Sequence, residues 1–327
     1  VNINYATLEG TAKDGTDYTG ASNTLTFSGM TSSQDVVVQL LNDLHVESDE
    51  DFQFDLNSPV NCTIAGTHPE TVTIQDQATD TYDVLIQSVT PFPATEGTDP
   101  MVTFTLALTN VDPANGVTNP VQVDYATGSG TATPGNDYLS ASGQVTFASE
   151  TEAVSVTIQD DSIFEDVETF DLTLSNFVGA RAGSIIKASE TASISDDGDS
   201  YSVSIQAAQN VTEGAAPGTV NFTVTLDQQV PGGAAVNFAT SDGSAVAGAP
   251  GSGDYETASG TLNFLATETT KDITITINND TFYEGAETFD VDITTVDPNA
   301  NITASKGVCT ITDDADKYGV SIELSLI

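Results

Sequence analysis

The sequence is poor in basic residues. It has 6 Lys and Arg against 48 Asp and Glu among 327 residues, which gives a formal net charge of −42. Such a chain repels phosphate, so nucleic acid and acidic membrane surfaces are poor partners for it. It also lacks a continuous apolar run of about 18 residues, the length that a membrane-spanning helix needs. We therefore expect no direct membrane insertion in this segment.

Cysteine, histidine and tryptophan are scarce as well. The two cysteines, Cys62 and Cys309, are too few for a disulfide framework, and we expect Cys309 to be a thiol buried in the core. The two histidines, His45 and His68, belong to no Ser-His-Asp, Cys-His or HExxH pattern. No Trp is present to form a sugar platform beside paired carboxylates. The sequence therefore predicts no enzymatic activity.

Acidic residues are abundant, and they recur in a regular pattern. Acidic runs that contain Asp43, Asp161 and Asp280 each lie between two strand-like runs. Their nearly equal spacing falls within the range of about 100–150 residues that one domain commonly occupies. The chain is therefore a series of similar modules.

Strand-like alternation fills these modules. In the middle module Val102, Phe104, Leu106 and Leu108 alternate with small or polar residues, and similar runs follow with turn residues between them. Regular short strands of this kind are typical of an antiparallel sandwich, and no segment has a sustained helical period. We predict an all-β fold of tandem seven-stranded antiparallel immunoglobulin-like sandwiches in a rod-like array.

The module boundaries follow from the repeat. Residues 1–79 match a module that lacks its first two strands, 80–198 and 199–316 match complete modules, and 317–327 match the first strand of a following module. Val36–Leu40 has the pattern of a strand in the first module. Either the chain is a window from a longer array, which we favour, or a neighbouring molecule donates its terminal strand to the first module.

The acidic loops of the middle module are expected to converge on one end of its sandwich. Charges about 5 Å apart repel by roughly 3 kcal/mol at an effective dielectric constant near 20, so the cluster needs a cation. We expect Arg181 and Lys187 to lie on the opposite or lateral side, away from it. The converging residues are Glu96, Asp137, Asp160, Asp161, Glu165, Glu168, Asp196, Asp197 and Asp199.

Clustered oxygen donors favour Ca²⁺ as that cation. Mg²⁺ takes fewer protein ligands in a stricter octahedron, and Zn²⁺ takes His or Cys. The alternative is an acidic loop that is merely solvated. The repetition of one spacing in three modules favours the metal.

One stretch carries a recognisable set of motifs. It runs from Tyr125-Ala-Thr through Gly130-Thr-Ala, Gly135-Asn-Asp137-Tyr138, Gly143 and Val145-Thr-Phe147 to Asp160-Asp161, Glu165 and Glu168-Thr-Phe170. This set resembles the Calx-beta domain, a family named for sodium–calcium exchangers that also occurs in large bacterial surface and adhesin proteins. The resemblance covers nearly the whole chain, and it implies immunoglobulin-like repeats with Ca²⁺ bound at one end.

The resemblance also implies which residues bind the metal. In the middle module these are the converging carboxylates given above, with the Ile163 carbonyl oxygen as a further candidate. Asn279 stands where the family pattern has Asp, which implies a weaker or partly vacant site in the third module. The third-module ligands are Glu213, Asp254, Asp280, the Phe282 carbonyl oxygen, Glu284, Glu287, Asp313, Asp314 and Asp316.

The first module departs further from the family pattern. Asn42 and Gln77 replace acids, and this chain contains no Glu-Gly turn for that module. We expect weak or single-ion binding there. The matching residues that remain are Asp17, Asp43, Glu47, Glu50 and Asp76, with Asp80 as a further candidate.

The function that we favour is a calcium-binding structural repeat array of an extracellular or cell-surface protein. Ca²⁺ would make the junctions between modules rigid in a stalk, adhesin or filament. The expected partners are neighbouring modules of the same chain, and identical chains if the terminal strand is donated. The alternatives are a regulatory Ca²⁺-sensor module of a membrane transporter and a ligand- or carbohydrate-binding module.

Overall fold

The computed structural model describes residues 1–30, 32–214, 218–317 and 319–323, and these residues form strands, turns and loops without an α-helix. None of them belongs to a helix long and apolar enough to cross a membrane. The predicted all-β fold class is confirmed. Its strands are rich in Val, Ile, Thr and Phe, which suit a pleated and half-buried surface.

The first module is a single four-stranded sheet in the order β2-β1-β3-β4. Neighbouring strands in it run antiparallel. Phe52 is buried, but Val60 and Val72 remain 53% and 39% exposed, so one apolar face of this sheet is only partly covered. The strands are β1 (Asn2–Glu9), β2 (Ser22–Thr26), β3 (Glu50–Val60) and β4 (Glu70–Ile74).

The prediction of a strand at Val36–Leu40 is wrong. Residues 36–39 belong to no strand, and Leu40 makes an isolated bridge with Tyr18. In the two complete modules the equivalent strand pairs with the second strand of its own module. The first module has no such partner among the described residues, so the backbone groups of 36–39 have no ladder to join.

The middle module has two sheets, ordered β10-β7-β5-β12 and β6-β13-β11-β8-β9. The side chains that point between the sheets, such as Phe104, Leu106 and Leu172, are fully buried. The strands are β5 (Tyr82–Thr90), β6 (Ala94–Thr95), β7 (Met101–Thr109), β8 (Val121–Gly130), β9 (Ser142–Phe147), β10 (Thr151–Thr157), β11 (Glu168–Gly179), β12 (Gly183–Lys187) and β13 (Ser189–Ser195).

The third module repeats this plan, with sheets β19-β16-β14-β21 and β15-β22-β20-β17-β18. Cys309 is buried in its core, as predicted, and burial raises the pKa of this thiol to about 11. The strands are β14 (Tyr201–Ile205), β15 (Ala208–Thr212), β16 (Thr219–Leu226), β17 (Ala234–Asp242), β18 (Ser259–Phe264), β19 (Thr270–Thr276), β20 (Glu287–Thr294), β21 (Ala300–Ala304) and β22 (Lys306–Thr312).

Each complete module contains two short strands beyond the seven that the sequence predicts. The first strand divides into two pieces that join different sheets: β5 and β6 in the middle module, β14 and β15 in the third. The other additional strand, β12 or β21, pairs in parallel with the first piece. The division brings the Glu-Gly turn, which follows β6 and β15, beside the end of the last strand, because Glu213 N donates to Thr312 O and Glu96 N to Ser195 O.

Contacts within the chain group it into two compact units. One contains Val1–Ala94, Asp99–Gln159 and Thr169–Ser193. The other contains Thr95–Thr98, Asp160–Glu168 and the described residues from Ile194 onward. The first module thus shares a unit with the body of the middle module, and two acidic loops of the middle module belong to the unit that holds the third module.

Candidate metal centres

A buried tyrosine fixes one acid in each module. Tyr255 stacks on Phe289 with ring centroids 4.1 Å apart, and the backbone of Tyr255 bridges to Ile277. The preceding Asp254 is thereby held in its loop, where Val246 N donates to its Oδ2 at 2.7 Å. The pairs Tyr138–Phe170 and Tyr18–Phe52 stack in the same way. The Asp-Tyr spacing of the sequence therefore reflects a ring packed in the core beside a carboxylate in the loop.

The third module brings Asp254, Glu284 and Glu287 together. One carboxylate oxygen from each lies within 4.8 Å of the others. Desolvation, and then the Asp254 charge, raise the pKa of Glu284 above its usual range. The pKa of Glu287 is raised as well, by desolvation and by Asp254. In the metal-free protein these groups repel one another, as expected for carboxylates that share a site without a cation.

A second group of acids lies beside the Glu-Gly turn of the third module. Glu213 is buried, and desolvation, together with Asp313 and Asp280, raises its pKa to about 7. Gly214 has φ +66°, and a Cβ built there would lie 2.3 Å from Asp314 Oδ2 and 2.4 Å from Asn279 Oδ1. Glycine is required at this point because the oxygens occupy the space that a side chain would fill.

The middle module repeats this arrangement at its own Glu-Gly turn. Gly97 has φ +59°, and a Cβ there would lie 2.4 Å from Asp197 Oδ2 and 3.0 Å from Asp160 Oδ1. Asp196, Asp197 and Asp199 each place a carboxylate oxygen within 4.8 Å of the other two. Desolvation, and then Asp197 and Asp196, raise the pKa of Asp199.

Three buried carboxylate oxygens in these clusters have no hydrogen-bond donor. They are Asp196 Oδ1, Asp199 Oδ2 and Asp313 Oδ1. A buried oxygen of this kind costs about 1–3 kcal/mol, and more when it is charged. The groups that surround each of these oxygens are carboxylates, which are hard oxygen ligands for a metal. The residues present therefore fit the predicted Ca²⁺.

Two predicted ligands also act as caps inside their loops. Asp161 Oδ1 accepts a hydrogen bond from Ile163 N at 2.7 Å, and Asp280 Oδ1 accepts one from Phe282 N at the same distance. This turn leaves the Ile163 and Phe282 side chains 44% and 67% exposed. The roles of their carbonyl oxygens as ligands stay predictions, as do those of the glutamates Glu96, Glu165 and Glu168. Asp137 is buried, with its Oδ2 accepting from Thr133 N.

An apolar residue that packs inward from two of the acidic loops was missed by the sequence analysis. Phe164 lies against Tyr201, with ring centroids 6.0 Å apart, and packs on the core of the third module. Val46 occupies the equivalent place in the first module, is fully buried, and donates its backbone N–H to Asn110 O at 3.0 Å. The signal that could have revealed them is an apolar residue three positions after the same aspartate in each copy.

The first module brings Asp17, Glu47 and Glu50 within 4.8 Å of one another. Desolvation, and then Asp43 and Glu50, raise the pKa of Glu47 to about 7. Asp43 and Asp76 have protein partners, whereas Asp80 is buried, and desolvation, and then the Asp76 and Asp43 charges, raise its pKa. His45 Nδ1 lies 2.9 Å from Asp43 Oδ2, and this hydrogen bond raises the pKa of His45.

Arg181 has a partner that the sequence analysis did not predict. The sequence placed Arg181 away from the acidic cluster of the middle module, and its Nη2 lies 2.5 Å from Asp76 Oδ2 in the first module. Its Nη1 also donates to Gln77 O at 2.7 Å. Arg181 lies in the connection between β11 and β12, which the shared compact unit brings against the first module. Lys187, the last residue of β12, pairs with Glu190.

Comparison with known proteins identifies one family. The model of the Calx-beta domain matches residues 1–78, 94–199 and 195–315. The sodium/calcium exchanger 1 of Bos taurus is 31% identical over 206 residues, which cover 58% of this chain and 21% of the exchanger. That of Rattus norvegicus is 30% identical over 208 residues, with the same coverage. The chain thus spans about a fifth of the length of these relatives.

Solved structures include a crystal structure of CBD12 from CALX1.2. It is 18% identical, covers 70% of this chain and 99% of its own, and superposes with a TM-score of 0.30. A crystal structure of the apo form of the Calx CBD1 domain is 20% identical, covers 36% of this chain and 99% of its own, and has a TM-score of 0.32. The family assignment rests on the sequence match.

Proposed function

The chain belongs to the Calx-beta family, and from this premise we propose that it is a calcium-binding array in which the ions stiffen the connection between modules. The clusters beside Gly97 and Gly214 hold the ions. Bound Ca²⁺ supplies the positive charge that offsets repulsion among the carboxylates, and it takes oxygen ligands in a flexible geometry. The observation that carries the proposal is the set of buried carboxylate oxygens that no donor satisfies.

Each cluster draws on residues far apart in the sequence. Gly97, Asp160 and Asp197 meet in the middle module, and Gly214, Asn279 and Asp314 meet in the third. Carboxylates that share an ion tie their loops together, and the loop that holds Asp160 also carries Phe164, which packs on the third module. Without calcium the same carboxylates repel one another, so the loops separate and Phe164 loses its fixed position. The expected result is a junction that is rigid only with calcium.

Small-angle scattering of the full chain in Ca²⁺ and in chelator tests this proposal. We expect a narrower range of particle dimensions in calcium, and a broader range in chelator that added Ca²⁺ reverses. A variant with Asp196→Asn and Asp197→Asn should give the same range in both solutions, because it has lost ligands for the ion together with part of the repulsion. Identical scattering of the wild-type chain with and without calcium would overturn the proposal.

A regulatory calcium sensor is the second candidate function. It is supported by the 31% identity to sodium/calcium exchanger 1. A sensor passes its calcium-dependent change to an attached protein, whereas a structural array bears load by itself. Single-molecule stretching separates the two. Calcium that raises the unfolding force of the modules favours the array, and calcium that alters only their relative orientation favours the sensor. A ligand- or carbohydrate-binding role would appear as retention on a glycan array in calcium.

The place of action in this proposal is extracellular or at the cell surface, in a stalk, adhesin or filament. Millimolar extracellular calcium suits such sites, because extracellular modules bind Ca²⁺ with Kd of about 10⁻⁴–10⁻³ M. Identical chains are the proposed partners in a filament. Val320 and Ile322 of the terminal segment are 88% and 87% exposed, and the first sheet has an apolar face that is partly open. Sedimentation of the chain with and without residues 317–327 tests this pairing.

A further inference from the structure

We propose that the Arg181 guanidinium takes the place of one calcium ion in the first module, so that the junction between the first and middle modules does not depend on calcium. The inference rests on the proposed function, because it concerns the one cluster that fits that function poorly. It is carried by an ion pair between residues 105 positions apart in the sequence.

The geometry is that of a cation held at two points. Arg181 Nη2 lies 2.5 Å from Asp76 Oδ2, and Nη1 lies 2.7 Å from the carbonyl oxygen of Gln77. The Asp76 and Arg181 side chains are 4% and 22% exposed, so the pair is largely removed from water. Glu47 N also donates to Asp76 Oδ2 at 3.2 Å. A planar guanidinium with two donors in use is a fixed and permanently charged group.

Equivalent positions in the other modules lack such partners. Asp76 corresponds to Asp196 and Asp313, whose Oδ1 atoms are buried without a hydrogen-bond donor. Gln77 corresponds to Asp197 and Asp314, which crowd their Glu-Gly turns. Where those modules have two adjacent acids, the first module therefore has one acid, one amide and a guanidinium, and the buried carboxyl of Asp80 lies beside them.

The third module cannot supply the same cation to the middle module. Gly183 pairs with Tyr82, and Ala300 pairs with Tyr201 in the same register. Counting back two residues from each places Arg181 and Pro298 at equivalent positions. Proline carries no charge, so the cluster of Asp196, Asp197 and Asp199 is left without a cationic side chain from this position.

The remaining first-module residues set the limit of calcium binding there. Asp17, Glu47 and Glu50 still form a group of three carboxylates. Asn115 Nδ2 of the middle module donates to Glu50 Oε1 at 3.2 Å. One of the three carboxylates therefore already has a hydrogen-bond partner from the middle module. The guanidinium thus occupies the Asp76 side of the first-module cluster, and the contacts with the middle module at Asp76 and Glu50 are made by protein groups.

The test is to count calcium ions on the full chain by equilibrium dialysis, with calorimetric titration for the affinities. Arg181→Gln should bind one more Ca²⁺ per chain than the wild type, or bind its weakest ion at least about tenfold more tightly, because a positive charge has left the cluster. Arg181→Lys keeps the charge and should bind as the wild type does. Lys187→Gln, which removes a positive charge from the adjoining strand β12, is the control and should also be unchanged.

The possible outcomes separate this inference from the proposed function. A wild-type chain that binds no calcium removes the proposed function itself. A wild-type chain that binds calcium, with the same count and affinities in Arg181→Gln, overturns only the role of Arg181. An additional ion in Arg181→Lys would overturn it as well.

A variant that retains the guanidinium guards against misfolding. If Arg181→Gln loses the folded first module, Gln77→Asp restores the second acid while Arg181 stays in place. The inference then requires an unchanged ion count, because the guanidinium neutralises the new carboxylate. An added ion in Gln77→Asp would refute it.

Discussion

Asp76 in the first module and Asp313 in the third occupy equivalent positions, yet their carboxylates have different surroundings. Asp76 Oδ2 pairs with Arg181, whereas Asp313 Oδ1 is buried without a donor. In the first arrangement a protein group supplies the positive charge beside the aspartate, and in the second one carboxylate oxygen is left without a partner. The same acidic loop can therefore serve as an ordinary ion-paired contact or as a metal site, depending on one residue of the following module.

The largest effect expected from this comparison is an opposite response to one substitution. In chelator, Asp76→Asn should destabilise the chain by about 2–3 kcal/mol, because it leaves the partly buried guanidinium unpaired. Asp313→Asn should instead stabilise it slightly, by up to about 1 kcal/mol, because it removes repulsion. Calorimetric unfolding in chelator measures both. Two changes of the same sign would contradict the comparison.

Calcium should then reverse the ranking of these two variants. Calcium stabilises the wild type by about 2.7 kcal/mol per site at a concentration 100-fold above Kd. Asp313→Asn should lose most of the stabilisation that calcium gives through the third module. Asp76→Asn should be stabilised by calcium as much as the wild type is. The same calorimetric unfolding repeated in calcium checks this. If both variants lose the same amount of stabilisation by calcium, calcium binding depends on Asp76 as much as on Asp313, and the comparison fails.

A second large effect concerns the glycine of the Glu-Gly turn. Gly214→Ala places a methyl group 2.3 Å from Asp314 Oδ2 and imposes a left-handed conformation on alanine. We expect calcium affinity at the third module to fall about tenfold or more. Gly285→Ala is the matched control, because nothing lies within 4 Å of its Cβ position in the acidic loop. Titration calorimetry should show that variant binding as the wild type does.

The periodic features of these two modules could be predicted from the sequence, and the contacts between modules could not. Alternating residues gave the strands, and the Asp-Tyr pairs marked acids held beside a buried ring. The strand expected at Val36–Leu40 is absent because its pairing partner is absent, which a local pattern cannot register. The pairing of Arg181 with Asp76 was not predicted, because the two residues lie 105 positions apart in different modules.

In chelator, the stability of the first and third modules should depend on pH in the same direction, because each acidic cluster contains a glutamate with a raised pKa. Glu47 and Glu213 each have a pKa of about 7, against 4.5 for an ordinary glutamate. A raised pKa means that the folded state holds the proton more tightly than the unfolded state does. Stability should therefore increase as pH falls through about 7, with the gain complete below about 4.5 for these two groups.

Variants assign the two shares of this effect. Glu213→Gln should reduce the change in melting temperature of the third module between pH 8 and pH 5. Glu47→Gln should reduce the same change in the first module. Calcium should suppress the Glu213 part at neutral pH, since metal binding requires the deprotonated carboxylate. A chelated chain whose melting temperature falls steadily from pH 8 to pH 6 would contradict the raised pKa values.

The smallest effect, and the finest test of the comparison, comes from the amides that replace acids in both loops. Asn279 Oδ1 lies beside Gly214, and Asn42 Oδ1 accepts a hydrogen bond from the Gln77 side chain. Asn279→Asp adds a charged ligand where an ion binds, so calcium affinity should rise about tenfold while stability in chelator falls slightly. Asn42→Asp adds the same charge to a cluster that already holds Arg181, so its gain should be smaller. Titration calorimetry on the two full-length variants measures the difference, and an equal gain in both would mean that the guanidinium does not substitute for calcium.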